Sequence, residues 1–260
     1  MPKPKPRTSM NQTIPRLAAE NRLPLLFVGI VLLAGCAGPR SSSSARVQPL
    51  DESLRELKTE FNRDISKPRV LALFSPTCGG CLYGARALQH EVAAAGKMAA
   101  DPQMLVVWLP MLDTDNEHEA RKSARRFDFT GARHFYDAGK QTSARLMAEQ
   151  FPNAVREALE VLPRDHPKRA QLEALGGLPP EKVPLWDAVL VFPPGARWDD
   201  RSPAPVWWTR QIGFNGEGRP EERTSLFWKN NPRQPAVESD WYLEAHEALG
   251  VAQRLSTAGK

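Results

Sequence analysis

The chain has 260 residues, 41% of them hydrophobic and 25% charged, with a formal net charge of +5. Lys3, Lys5, Arg7, Arg16 and Arg22 fall in residues 1–35 against one acid, Glu20, so the remainder carries only about +1. No Lys/Arg stripe interleaved with aromatics is present, so the basicity points to no nucleic-acid partner, and three cysteines with no H-x3-5-H histidine pair fall short of a four-ligand zinc set.

The basic N-terminal segment runs into Leu23–Ala34, an uncharged apolar stretch of 12 residues, followed by Gly35-Cys36. At 1.5 Å per residue the stretch is too short for a ~30 Å hydrocarbon core. Basic, then briefly apolar, then small residues read as an export signal over residues 1–35. Residues 36–49, with Ser41 to Ser44 in a row, show no periodicity and read as a flexible tether. Residues 50–260 contain no internal repeat and suit one domain with a sizeable core.

Within that domain, Leu50, Leu54, Leu57 and Phe61 predict an amphipathic helix with Asp51 as its N-cap. Pro68 separates it from an apolar strand at 70–74. The next helix is expected from about Cys81 to Ala95. Met104–Leu109 is a second continuous apolar strand, ending at Pro110. Glu117–Phe127 predicts a polar-faced helix. Ser143 is the expected cap of a helix carrying Leu146, Met147, Phe151, Val155, Leu159 and Leu162, and a short helix ends at Gly176-Gly177. Trp186–Phe192 is the third strand, Pro193-Pro194-Gly195 a turn, and Val206–Ile212 an antiparallel partner. A last helix places Trp241, Ala245, Ala248, Ala252 and Leu255 on one face. Strands apolar on both faces indicate a sheet covered by helices on both sides.

The chemistry concentrates in Cys78-Gly79-Gly80-Cys81, between the first strand and its following helix. A cysteine at a helix start faces unpaired backbone N–H groups that favour its thiolate. Such a thiol attacks disulfides, and a second cysteine one turn on can resolve the mixed disulfide. An inert structural bridge is the plainer alternative in an oxidising compartment.

Two resemblances extend this reading. Leu33-Ala34-Gly35-Cys36 resembles the lipobox of bacterial lipoproteins, which implies a diacylated Cys36 as first mature residue and an extracytoplasmic, membrane-anchored domain. Ala37 is not an inner-membrane retention signal of the Asp type, which fits the outer membrane in a Gram-negative cell. The order helix, strand, CxxC helix, strand, long helical stretch, hairpin, helix resembles the thioredoxin fold. Leu73–Cys81 and the strand–turn–strand from 186 to 212 carry that likeness, over about half of the mature part. Val107–Leu112 and Arg133–Asp137 look like a bacterial subfamily of thioredoxin-like proteins. The implied fold class is α/β, a mixed sheet flanked by helices, with residues 113–182 a helical insertion before the third core strand.

The chain departs from the family at three places. Ala72 stands where small thioredoxins keep a buried acid. Trp186-Asp187 stands where the family has a cis-proline beside the cysteines, and a trans bond is expected at Asp187, since a cis bond there costs about 2.5–4 kcal/mol. Gly79-Gly80 brings no side chain to tune the thiolate. A charged Asp187 near Cys78 is expected to raise that thiol's pKa or to relay a proton.

Other candidates have plainer explanations. Asp113, Asp115, Glu117 and Glu119 read as charges at a helix start rather than as a cation site or base. His134, beside Phe135 and Tyr136, reads as a packed histidine. Trp207-Trp208 reads as packing, one ring inward and one outward, rather than as a substrate groove. The expected function is thiol–disulfide exchange on envelope proteins by Cys78 and Cys81, with no bound organic cofactor. The alternatives are a binding module with a structural disulfide, or a carrier of a soft ion such as Cu(I) on the two thiols.

Overall fold

Continuous apolar runs produce the centre of the fold. A computed structural model of the chain describes residues 46–95, 102–127, 131–161, 164–165, 169–210 and 241–258. The elements in order are β1 (Val47–Pro49), α1 (Arg55–Asn62), β2 (Arg69–Phe74), α2 (Gly79–Ala95), β3 (Gln103–Trp108), α3 (Glu117–Arg126), β4 (Arg133–Tyr136), α4 (Gln141–Gln150), α5 (Ala154–Val161), α6 (Arg169–Gly176), β5 (Ala188–Phe192), β6 (Trp207–Arg210) and α7 (Trp241–Ala258). The protein is α/β, with a mixed sheet in the order β1-β4-β3-β2-β5-β6. β1, β4, β3 and β2 run parallel to their neighbours; β5 is antiparallel to β2, and β6 to β5.

Every residue of β2, β3 and β5 is buried, because successive side chains enter two separate cores. Leu71, Leu73, Leu105, Val107, Leu190 and Phe192 pack with residues of α1, α4, α5 and α6. Val70, Ala72, Phe74, Val106, Trp108 and Val191 pack with α2, α3 and α7. This is the period-two alternation of a sheet covered on both faces. It also decides the paired tryptophans: Trp208 enters the first core and Trp207 the second. Both rings are buried, so neither lines an open groove.

Several local expectations need correction. The 113–182 stretch is not wholly helical, since β4 lies within it and sits in the sheet between β1 and β3. His134 and Phe135 are buried there, and the Trp108 indole Nε1 donates to His134 Nδ1 at 3.3 Å. Val47–Pro49, inside the span read as tether, pairs with β4. Asp51 does not cap α1; it binds Ser53, while Leu54 precedes the helix with φ 58°. Ser143 does not cap α4 but accepts from Leu185 N at 2.7 Å. Asp137 takes the first N–H groups of α4, those of Gln141 and Thr142. The long helix expected from Leu146 to Leu162 breaks at Phe151–Asn153 into α4 and α5. Among the described residues no helix is long and apolar enough to cross a membrane. Cys36, the lipobox and the export signal lie outside the described residues.

Candidate functional site

β2 ends at Phe74 in the middle of the sheet, and the chain turns through Ser75-Pro76-Thr77 into α2. A central parallel strand delivers the residues that follow it to the sheet's C-terminal edge. The turn is tied down on several sides. Asp115, in the loop after β3, accepts from Ser75 Oγ at 2.7 Å, Thr77 N at 3.0 Å and Thr77 Oγ1 at 2.6 Å. The same carboxylate accepts from Met111 N and Leu112 N, each at 2.8 Å. Ser123 of α3 donates to Pro76 O at 2.9 Å. Ser75 Oγ in turn accepts from Cys78 N at 3.2 Å. The backbone of Cys78 is thus held through Ser75 by Asp115.

α2 begins at Gly79, two residues before the expected start, so Cys78 immediately precedes the helix. Leu82 N closes the first turn onto Cys78 O at 3.0 Å. The two cysteines are free thiols in unlike surroundings: Cys78 is half-buried, whereas Cys81 is fully enclosed in the core shared by α2 and α7.

That difference splits their acidities. A hydrogen bond from the Cys81 thiol is the main stabiliser of the Cys78 thiolate. Burial opposes it, the backbone N–H groups of Cys81 and Gly80 add to it, and the charge of Asp115 works against it. The net effect draws Cys78 from 9.0 down to about 6. Cys81 moves the other way. Burial pushes its pKa up, and its bond to Cys78, the charge of Asp187 and the Cys78 charge push in the same direction. One thiol is therefore ionised near neutral pH while its partner keeps its proton, the division of labour that exchange chemistry uses.

The remaining candidates fall as follows. Asp187 is 3% exposed and immediately precedes β5 with φ 55°, a left-handed conformation that Asp tolerates better than most residues. No cis peptide bond occurs among the described residues. The charge of Asp187 pushes the Cys81 pKa up, and the Asp115 charge pushes that of Cys78 up. Trp186 is half-buried and packs against both cores. Asp115 is the site residue that sequence reasoning passed over. Its place among four acids suggested a charged helix start, but Asn116 caps α3 by accepting from Glu119 N at 3.0 Å. Glu117 and Glu119 pair with Arg121 and Lys122 on the surface. His134 is neutral, drawn from 6.5 to about 4 by burial, and belongs to the core. Among the described residues no group of three or more His, Cys, Asp or Glu side chains is arranged to hold a metal.

Comparison of the chain with family models, curated proteins and solved structures finds no match. The chemistry of the site therefore rests on its own geometry.

Proposed function

We propose that this protein is a thiol–disulfide oxidoreductase with a thioredoxin-like domain, tethered through a lipidated Cys36 to the extracytoplasmic face of a bacterial membrane. Its partners are the thiols and disulfides of envelope proteins. The observation that carries the reading is the asymmetry of the pair: a half-exposed Cys78 near pKa 6 beside an enclosed Cys81 that stays protonated. The CxxC at the end of a central strand, a parallel neighbour strand, an antiparallel hairpin and a C-terminal helix support the likeness to thioredoxins. The 113–182 stretch is then an elaboration that carries the extra strand β4 together with α3 to α6.

In the reaction, the Cys78 thiolate attacks one sulfur of a substrate disulfide, and the other sulfur leaves with the electron pair. Cys81 then attacks Cys78, forms the internal disulfide and releases the reduced substrate. The test is a trap in the envelope fraction. Cys81→Ser should accumulate mixed disulfides on Cys78, and Cys78→Ser should accumulate none. An absence of trapped proteins with Cys81→Ser defeats the exchange reading. If the trap is empty, a soft metal bound stoichiometrically to both thiols of the purified protein favours the carrier. Mass spectrometry of the mature N-terminus checks the anchor, since an unmodified Cys36 defeats that part alone.

A further inference from the structure

Resolution of the mixed disulfide poses a problem of proton disposal. Cys81 attacks well only as a thiolate, yet its side chain is fully buried and its pKa is raised. Bulk water does not reach it, so the acceptor must belong to the protein. β2 offers none, because Ala72 and Phe74 are the residues it turns toward α2. Asp115 commits both its oxygens to five donors of the two loops it ties together.

β5 supplies the other carboxylate. Leu73 pairs with Ala188, so Asp187 lies one position further on, level with Phe74 where β2 runs out toward the cysteines. Ala188 faces the α1 core and Val189 the α2 core, while Asp187, just before the strand, turns in a left-handed conformation. It is 3% exposed, and its charge acts on Cys81. Building on the exchange reaction above, we propose that Asp187 takes the proton of Cys81 as the mixed disulfide is resolved.

The step balances. The bond between Cys78 sulfur and substrate sulfur breaks, and the substrate leaves as a thiolate with the electron pair. The Cys78–Cys81 bond forms, and the Cys81 proton passes to the Asp187 carboxylate, which later returns it to solvent or to the departing thiolate. Over both steps the substrate disulfide gains two electrons and the Cys78–Cys81 dithiol loses them. Proton transfer keeps the buried charge constant, since the carboxylate becomes neutral as the thiolate forms. The alternative, a thiolate formed beside an ionised carboxylate, places two anions in one buried space. Among the described residues, the titratable groups acting on the pair include Cys78 and Cys81 themselves, Asp115 from the loop after β3, and Asp187; β6 sets Arg210 at the register position opposite Ala188.

The experiment uses the reduced protein and 5,5′-dithiobis(2-nitrobenzoate). Attack by Cys78 releases a first thionitrobenzoate, and resolution by Cys81 releases a second, so the two steps separate in one stopped-flow trace. Asp187→Asn keeps size and suits the left-handed backbone; Asp187→Gly removes the acid with no backbone strain. Both should leave the first phase unchanged and slow the second by about a hundredfold. The second phase of the variants should gain about tenfold per pH unit as hydroxide becomes the base, and that of the wild type should climb less steeply. A second phase that keeps its rate in both variants, or two phases that slow in parallel, overturns the assignment of Asp187 and leaves the exchange reading intact. A wild-type profile that already climbs tenfold per unit does the same, even if neither variant folds. A wild-type protein that releases no thionitrobenzoate overturns both.

Discussion

The two ends of β2 both bury an ionisable group, and they treat it in opposite ways. At the N-terminal end Arg69 is wholly enclosed. Its guanidinium lies 4.8 Å from the Phe61 ring centroid and donates to the carbonyls of Ile65, Lys67 and Ala196. Carbonyls do not titrate, so this charge is fixed in place and joins α1, the following turn and the β5–β6 connection. At the C-terminal end four titratable side chains, Cys78, Cys81, Asp115 and Asp187, meet around one turn. There the surroundings push two thiols apart in acidity, and a proton has somewhere to go. A buried charge among carbonyls is a fastener; buried groups that shift one another are a candidate for chemistry.

The sharpest way to break this comparison is at Arg69. Arg69→Met should leave its carbonyl acceptors buried without a donor and lower stability by about 3 kcal/mol, read as a urea midpoint. The alkylation profile of Cys78 should not move. A shift in that profile would show that the two ends communicate.

Asp115→Ala should have the next largest effect. Five donors lose their acceptor, one of them exposed and four part-buried, so a loss of about 2 kcal/mol is expected. Unlike Arg69→Met, it should also change Cys78. Removing the opposing charge pulls that thiol's pKa down, while loosening the turn lets it rise. Asp115→Asn removes the charge but keeps one accepting oxygen, so it loosens the turn less than alanine and should lower the Cys78 pKa. An unchanged iodoacetamide pH–rate profile in both variants would mean that Asp115 is a fastener like Arg69.

The smallest effect on stability, though not on chemistry, concerns the cysteines. Alkylation of Cys78 should show a midpoint near pH 6, and Cys81→Ala should move it back toward 9.0, because the leading stabiliser of the thiolate is then gone. The same shift gives stability a sign. The folded pKa of Cys78 lies below its unfolded value, so its stabilising contribution is complete above about pH 9 and is lost as pH falls toward about 6. Cys81 acts oppositely, reducing stability once pH exceeds the ordinary thiol value. The reduced wild-type protein should therefore gain stability over pH 6 to 9 more steeply than Cys78→Ser does.

Legibility in the sequence followed the physics of each element. Residues 70–74, 104–108 and 188–192 announced themselves as strands because both their faces meet a core, so every side chain is apolar or small. β4 did not, because Arg133 is exposed and His134 is buried as a polar partner of Trp108; the pattern carries no apolar run. The cysteines were legible because their chemistry is local, set by three residues of spacing and a helix start. Asp115 was not, because its meaning depends on Ser75 and Thr77, some forty residues earlier in the chain. Asp187 was legible as an oddity at the right height in the sheet. That its charge acts on the buried Cys81 follows from the three-dimensional packing and not from its place in the chain.

Gly79 adds one last consequence. It is exposed, its φ is not among the positive ones, and a Cβ added there meets nothing within 4 Å. Neither the backbone nor crowding requires glycine, and alanine in a helix is favoured by about 1 kcal/mol. Under the proposed exchange reaction, the missing side chain next to Cys78 in the chain would let a bulky or folded partner bring its own main chain alongside. Bulk placed at this one position would act as a sieve, sparing slender disulfides and turning away crowded ones, with no change to the groups that set the acidity of the pair.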